Sequence, residues 1–350
     1  MKSKKYFIVF MATFAVVAAI FASITIYIDP FFHYHFPLEN YGYPLNNERY
    51  QNDGITRYFD YDAIVTGTSI TQPFAVTAVN ECFGVNAIKV CYSGASFKEL
   101  DAALKRAIKR NPDVKMVLRG LDGYGYIADK DSIPYEGMPN YLYNNNPLDD
   151  VEYVLNKEVL FYRTLYVMEY TKNGGKTTTF DEYSVGSDPF GKEYALSYVK
   201  HSKKVKKKQI ALSEEEKQMI IDNVRQNLVE TAQENPDITF YYFLSPYSVL
   251  DWDKKYRSGR LQYQIDIERI VIEELLQCEN IRLFSFDTAE EIVADLDRYR
   301  DTTHVDQATA ILLTQYMKEG KYRITKENYE EYLSDLYELY KNYDYDAIYE

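Results

Sequence analysis

Residues 60–71 read Asp60-Tyr61-Asp62-Ala63-Ile64-Val65-Thr66-Gly67-Thr68-Ser69-Ile70-Thr71. Four apolar or β-branched residues, Ala63–Thr66, bounded by acidic residues and a glycine, form the pattern of a short buried strand. A Gly-x-Ser turn directly after such a strand lifts Ser69 to the carboxyl edge of a sheet, where open α/β folds place their sites. Downstream the texture repeats. Residues 87–92, 114–118, 238–244 and 281–286 are further short apolar runs. Longer amphipathic patterns separate several of them, at 97–109, 213–234 and 261–277, the second opening on a Ser-Glu-Glu-Glu capping box. Strands spaced by helices predict an α/β domain over residues 60–325, with a parallel five-stranded sheet flanked by helices on both faces.

Upstream lies a segment of different character. From Tyr6 to Ile28 there is no charged residue, and as a helix this run would measure about 34 Å at ~1.5 Å per residue, enough to cross a bilayer. Lys2, Lys4 and Lys5 precede it and Asp29-Pro30 closes it. The expectation is a membrane anchor over residues 1–28, with a cytoplasmic N-terminus and the main domain outside the cell. A cleaved signal peptide fits less well, because the run is long for one and offers no Ala-x-Ala pair. No cysteine follows closely enough for lipid attachment.

Residues 29–59, rich in Tyr, Asn and Pro, read as an irregular juxtamembrane segment. Its His33-x-His35 pair is an interfacial aromatic cluster rather than a metal site, since no carboxylate or third histidine stands at ligand spacing. Between 125 and 210 the strand–helix alternation breaks into an insertion of loops and helices. It ends in Lys203, Lys204, Lys206, Lys207 and Lys208, a run suited to anionic lipid or an acidic polymer and equally to a solvated loop. The tail, 326–350, is acidic and tyrosine-rich, with helical spacing at Tyr329, Leu333, Tyr337 and Tyr340.

Composition narrows the function classes. Of the 350 residues, 53 are acidic and 40 basic, and the net charge of -13 argues against a nucleic-acid partner. A hydrophobic fraction of 46% excludes wholesale disorder. Cys82, Cys91 and Cys278 contain no Cys-x-x-Cys pair, so they read as small buried hydrophobes, with a Cys82–Cys91 disulfide sterically open but unsupported.

A serine nucleophile needs a base, because its hydroxyl is scarcely ionised at neutral pH. Of the four histidines, His33 and His35 lie beside the anchor and His201 among lysines, which leaves His304. Asp301, three residues earlier, is close enough to hold one ring nitrogen while the other faces a substrate. Each motif alone has an ordinary structural use: Ser69 as a helix N-cap, Asp301 and His304 as a surface pair capping the helix that begins near Asp306.

Together, the Gly-x-Ser after the first strand and the late Asp-x-x-His resemble the SGNH (GDSL-type) hydrolase superfamily over about residues 60–325. The resemblance implies Ser69, Asp301 and His304 as catalytic residues. It also implies an oxyanion hole from the amides of Ser69 and of Gly94, in Tyr92-Ser93-Gly94-Ala95-Ser96. The family's third block carries Gly-x-Asn-Asp, whose Asn donates to the oxyanion. Here Gly120-Leu121-Asp122-Gly123 puts Asp122 in that place, and an ionised carboxylate cannot donate. Tyr247, Ser248 and Trp252, after the fourth strand, are candidates for contacting substrate, the aromatics by stacking on a sugar. With the anchor, the match is similar to the bacterial envelope branch that includes proteins for D-alanine transfer to teichoic acids and for alginate acetylation. It implies acyl transfer or ester hydrolysis on an envelope polysaccharide, beside a multispanning membrane acyltransferase, without metal or organic cofactor. The departure at Asp122 keeps a second expectation open: a catalytically silent envelope protein that binds glycan or scaffolds such a complex.

Overall fold

Strand β1 (Ala63–Thr66) is buried at all four residues and pairs on both sides, with β2 (Ala87–Lys89) and β3 (Met116–Leu121). In this computed structural model, which describes residues 2–349 except Ser187, Ser202, Lys203 and Lys207, β4 (Thr239–Leu244) and β5 (Ile281–Ser285) extend the sheet in parallel. A sixth strand, β6 (Arg323–Ile324), joins β5 antiparallel, giving the order β2-β1-β3-β4-β5-β6. The chain is thus α/β, with a mostly parallel sheet flanked by helices. The five expected strands are present and the sixth is an addition. Two residues long, it is too short to carry a period of its own.

The helices follow their local signals. Ser96 caps Phe97–Arg110 by accepting from the Glu99 amide. Ser213 and Glu216 close the capping box of Glu214–Val224. That helix continues through a π-helical segment, Arg225–Val229, to Glu234. The π segment offers the Asn227 carbonyl to Arg119, which is buried in the middle of the sheet. Helix Leu261–Leu275 and helix Tyr329–Asn342, the latter on the expected spacing of the tail, pack together. A core of Ala63, Val65, Leu118, Phe243 and Phe284 meets Phe74 and Val79 on one side and Leu313 on neighbouring helix Gln307–Glu319.

The chain divides into two compact units: Met1–Phe59 with Gly137–Thr179, and Asp60–Glu136 with Phe180–Glu350. The stretch 125–210 is therefore split between them rather than being one insertion. Within the first unit, helix Lys2–Ile28 is long and apolar enough to cross a membrane. At its end the buried Asp29 carboxylate accepts from the amides of His33 (2.9 Å), Tyr34 (2.7 Å) and His35 (3.0 Å) and from the Tyr153 hydroxyl (2.7 Å). The segment read as irregular, 29–59, contains helix Glu48–Tyr58. Its buried face is largely polar, with Arg49, Gln51, Asn52, Asp53 and Thr56 enclosed, so no apolar period announces it. Gln51 alone accepts from the Asn46 and Asn47 amides and donates to the Pro30 and Pro44 carbonyls. Of the lysine run, Lys203 and Lys207 lie outside the described residues. The three cysteines are free, Cys91 and Cys278 buried and Cys82 partly so.

Candidate active site

Three strand ends converge in the second unit. After β1 the chain turns through Gly67, whose φ of 148° disfavours a side chain. A Cβ there, or at Gly120 on β3, would collide with the Thr71 hydroxyl. The two glycines thus clear the space that Thr71 fills beneath a single 3-10 turn, Ser69–Thr71. From the next strand, the buried Lys89 donates to the Gln72 carbonyl at 2.6 Å, and the Gln72 amide side chain donates to Ser93 Oγ at 2.6 Å. Gly94, in the left-handed conformation (φ 64°), follows Ser93 on that exposed loop.

The partner loop comes from far along the chain. Tyr299 and Val305 form an isolated antiparallel bridge, and Arg300 N donates to the His304 carbonyl at 3.1 Å, closing a tight loop around Asp301–His304. Asp301 Oδ1 accepts from the amides of Thr303 (2.8 Å) and His304 (2.9 Å), an Asx-type turn that leaves Oδ2 free to meet His304 Nδ1 at 2.7 Å. On the other side of the ring, His304 Nε2 lies 2.8 Å from Ser69 Oγ.

Burial opposes the charge on Asp301, but hydrogen bonds from the His304 ring and from the Thr303 and His304 amides hold it well below the usual carboxylate range. An ionised carboxylate only accepts, so Nδ1 carries the ring proton and Nε2 is the acceptor for the Ser69 hydroxyl. Ser69, His304 and Asp301 are thus brought together in one hydrogen-bonded chain at the carboxyl edge of β1. The Asp301–His304 pair does not cap the helix that follows it: Asp306 itself caps helix Gln307–Glu319, accepting from the Thr309 amide at 2.7 Å.

Asp122 is occupied as an acceptor. Oδ1 takes the Tyr247 hydroxyl at 2.5 Å and the Tyr124 amide at 3.2 Å, and Oδ2 takes the Thr68 hydroxyl at 3.0 Å. Burial, reinforced by the Asp122 charge, pushes the Tyr247 phenol well above its ordinary value, so it remains a donor. Its oxygen also accepts from the Gly123 amide at 2.9 Å. Asp122 therefore ties the residue before Ser69 to the end of β3.

The expectation that Tyr247 and Trp252 stack on a sugar is corrected. Trp252 is 0% exposed, lying 4.0 Å from the Tyr340 ring in a parallel stack, and Tyr247 is buried as well. Neither ring offers an open face. Ser248 is likewise buried and works on the loop: its amide (3.0 Å) and hydroxyl (2.9 Å) both donate to the Thr302 carbonyl, between Asp301 and His304. The exposed aromatic is Tyr124, stacked on Tyr247 at 5.6 Å and donating to Asp251 at 2.7 Å. It opens onto a groove of about 470 Å³ bordered by Lys206, Lys254, Lys255, Arg260 and Tyr263, with Asp251 as the acid among them. Thr68, Lys89 and Tyr124 were not singled out in the sequence. A hydroxyl inside Gly-x-Ser and a lone lysine in an apolar strand were the signals for the first two.

Among the described residues, no group of three or more His, Cys, Asp or Glu side chains could hold a metal ion. The chain matches no protein-family model and no curated protein.

Proposed function

We propose that the chain is an SGNH-type serine acyltransferase or esterase, anchored in a bacterial membrane and acting on an envelope polysaccharide outside the cell. The observation that carries this is the continuous Ser69–His304–Asp301 chain, at 2.8 and 2.7 Å, on the carboxyl edge of a parallel sheet. Ser69 Oγ attacks an ester carbonyl as its proton passes to His304 Nε2, and the Asp301 carboxylate supports the imidazolium. The amides of Ser69 and Gly94 are the donors for the oxyanion. His304 then protonates the leaving alkoxide, and the acyl group remains on Ser69. Water completes hydrolysis, whereas a glycan hydroxyl, deprotonated by the same Nε2, completes transfer. The cationic groove beside Tyr124 suits an acidic glycan as donor or acceptor, with a multispanning acyltransferase as the source of acyl groups.

A second reading, a silent glycan-binding or scaffolding protein, is favoured by Asp122, whose oxygens are engaged as acceptors and which supplies no third oxyanion donor. Trapping separates the two. The full-length protein is mixed briefly with an activated acetyl ester, quenched in acid and digested. Acetyl on the Ser69 peptide supports the enzyme, and its loss to added glycan rather than water assigns transfer. No acetylation of folded protein supports the silent reading.

A further inference from the structure

Within the first unit, a second segment meets the apolar anchor. The π segment Glu158–Thr164, continued by helix Leu165–Lys172, packs against Lys2–Ile28, and the Phe161 ring lies edge-on to Phe21 with centroids 6.2 Å apart. Phe21 stands seven residues before Ile28, so it lies about 10 Å below the end of the helix at ~1.5 Å per residue. The apolar run is only about 4 Å longer than a ~30 Å hydrocarbon core. Phe21 is therefore inside the hydrocarbon whenever the helix spans it, and Phe161 must share its depth.

Protection along the anchor agrees. Ala18, Ala22 and Thr25, at helical spacing, are partly or fully covered, while most neighbours on the other faces are exposed. The covered face therefore reaches some 15 Å below Ile28. On the covering segment, Val159, Leu160, Thr164 and Val167 are buried inward. Outward, Phe161, Leu165 and Met168 form an i, i+4, i+7 row, 40% to 51% exposed. Tyr162 and Tyr166 form a second exposed row beside it, and the exposed charges Lys157, Glu158, Glu169 and Lys172 bracket both. Apolar side chains bordered by tyrosines and charged residues are the pattern of a helix lying at a membrane interface, ~5–10 Å into the boundary.

We propose that residues 158–172 form a second membrane element, lying in the leaflet at the Ile28 end of the anchor with Phe161, Leu165 and Met168 in the acyl region. The occupant of this face is lipid. It continues the lipid-facing surface of the anchor through the Phe161–Phe21 contact. The unit is thereby held against the bilayer by two contacts, not hung from one. The proposal rests on the anchor spanning a membrane and is independent of the chemistry at Ser69.

Full-length protein in phosphatidylcholine vesicles with brominated acyl chains tests this. The one native tryptophan, Trp252, is buried and gives a constant background. Tryptophan is introduced at Phe161, at Phe14 in the anchor, and at exposed Tyr198 as the water-facing control. The added emission of Phe161→Trp should fall about twofold in bromolipid, as should that of Phe14→Trp, while Tyr198→Trp is unchanged. Quenching of Phe14→Trp alone overturns the proposal and leaves the anchor standing. Quenching of neither overturns both. Leu165→Trp, on the same row, serves if Phe161→Trp does not fold.

Discussion

Among the described residues, two histidine–carboxylate pairs look alike on distance and differ in what the second ring nitrogen meets. In the second unit, His304 Nδ1 meets Asp301 at 2.7 Å and its Nε2 meets Ser69 at 2.8 Å. In the first unit, His33 uses Nε2 itself to reach Asp150 at 2.9 Å, and the Tyr34 hydroxyl donates to the same carboxylate at 3.0 Å. The His33 ring is buried edge-on among Tyr34 and Tyr153, with no hydroxyl nucleophile on it. A carboxylate beside an imidazole orients it in both places. Only where the second nitrogen faces a serine can a proton move usefully. The pair at His33 fastens residues 33 and 150, which are far apart in sequence, and belongs to stability.

The largest expected effect tests that division. Ser69→Ala or His304→Ala should lower acetyl-ester turnover by about 10⁵ to 10⁶, with the double variant no worse than either single, because the groups act as a unit. Asp301→Asn should cost about 10⁴, by favouring the wrong ring tautomer. Turnover that survives either change would break the comparison from the reactive side. His33→Ala breaks it from the other: turnover should be unchanged at temperatures where the protein is folded, while stability falls by about 1–3 kcal/mol through the lost buried partner. Loss of turnover without loss of stability would give His33 a part in the chemistry.

Asp122→Asn should act more mildly. An Asn carbonyl can still accept from Tyr247 and Tyr124, and its amide can donate to the Thr68 hydroxyl, so turnover should fall less than about tenfold while the melting temperature drops with the weakened charged hydrogen bonds. A large loss of turnover at unchanged melting temperature would place Asp122 among the reacting groups.

The smallest effect concerns pH. Burial raises both Glu268 and Asp287, and the Glu268 charge raises Asp287 further. Glu268 accepts from Tyr332 at 2.8 Å and from Gln264 at 3.2 Å. Its native form holds a proton more tightly than the unfolded form, so its contribution is full below the ordinary value of 4.5 and declines as pH rises towards the native value. Asp301, held low, behaves oppositely, contributing above its ordinary value of 3.8 and losing that as pH falls. Glu268→Gln should flatten the decline in melting temperature as pH rises above 4.5. An unaltered slope would show that Glu268 ionises in the folded protein as it does in water.

Most of the frame was legible because its signals are local. Short β-branched runs, Ser213 with Glu216, and the glycine after β1 each act on their own neighbours. The pairing of Ser69 with His304, 235 residues apart, was reached by eliminating three other histidines, one of which, His33, has its carboxylate 117 residues away. What was not legible depends on burial. Tyr247 and Trp252 follow β4 as substrate-stacking aromatics would, yet packing against Lys255 and Tyr340 takes their faces. Helix Glu48–Tyr58 buries polar residues, so its period is invisible to hydrophobicity. The grouping of 137–179 with the first 59 residues arises from contacts such as Asp29 with Tyr153, for which no short-range pattern exists.

Reaction of the full-length protein with a fluorophosphonate, followed by peptide mass spectrometry, tests the central claim most directly. Such probes capture only a serine that a neighbouring base has activated. One adduct is expected, on the peptide carrying Ser69, absent from His304→Ala and retained in His33→Ala. Folded protein that takes up no probe, or takes it up on another serine with Ser69 untouched, would contradict the account.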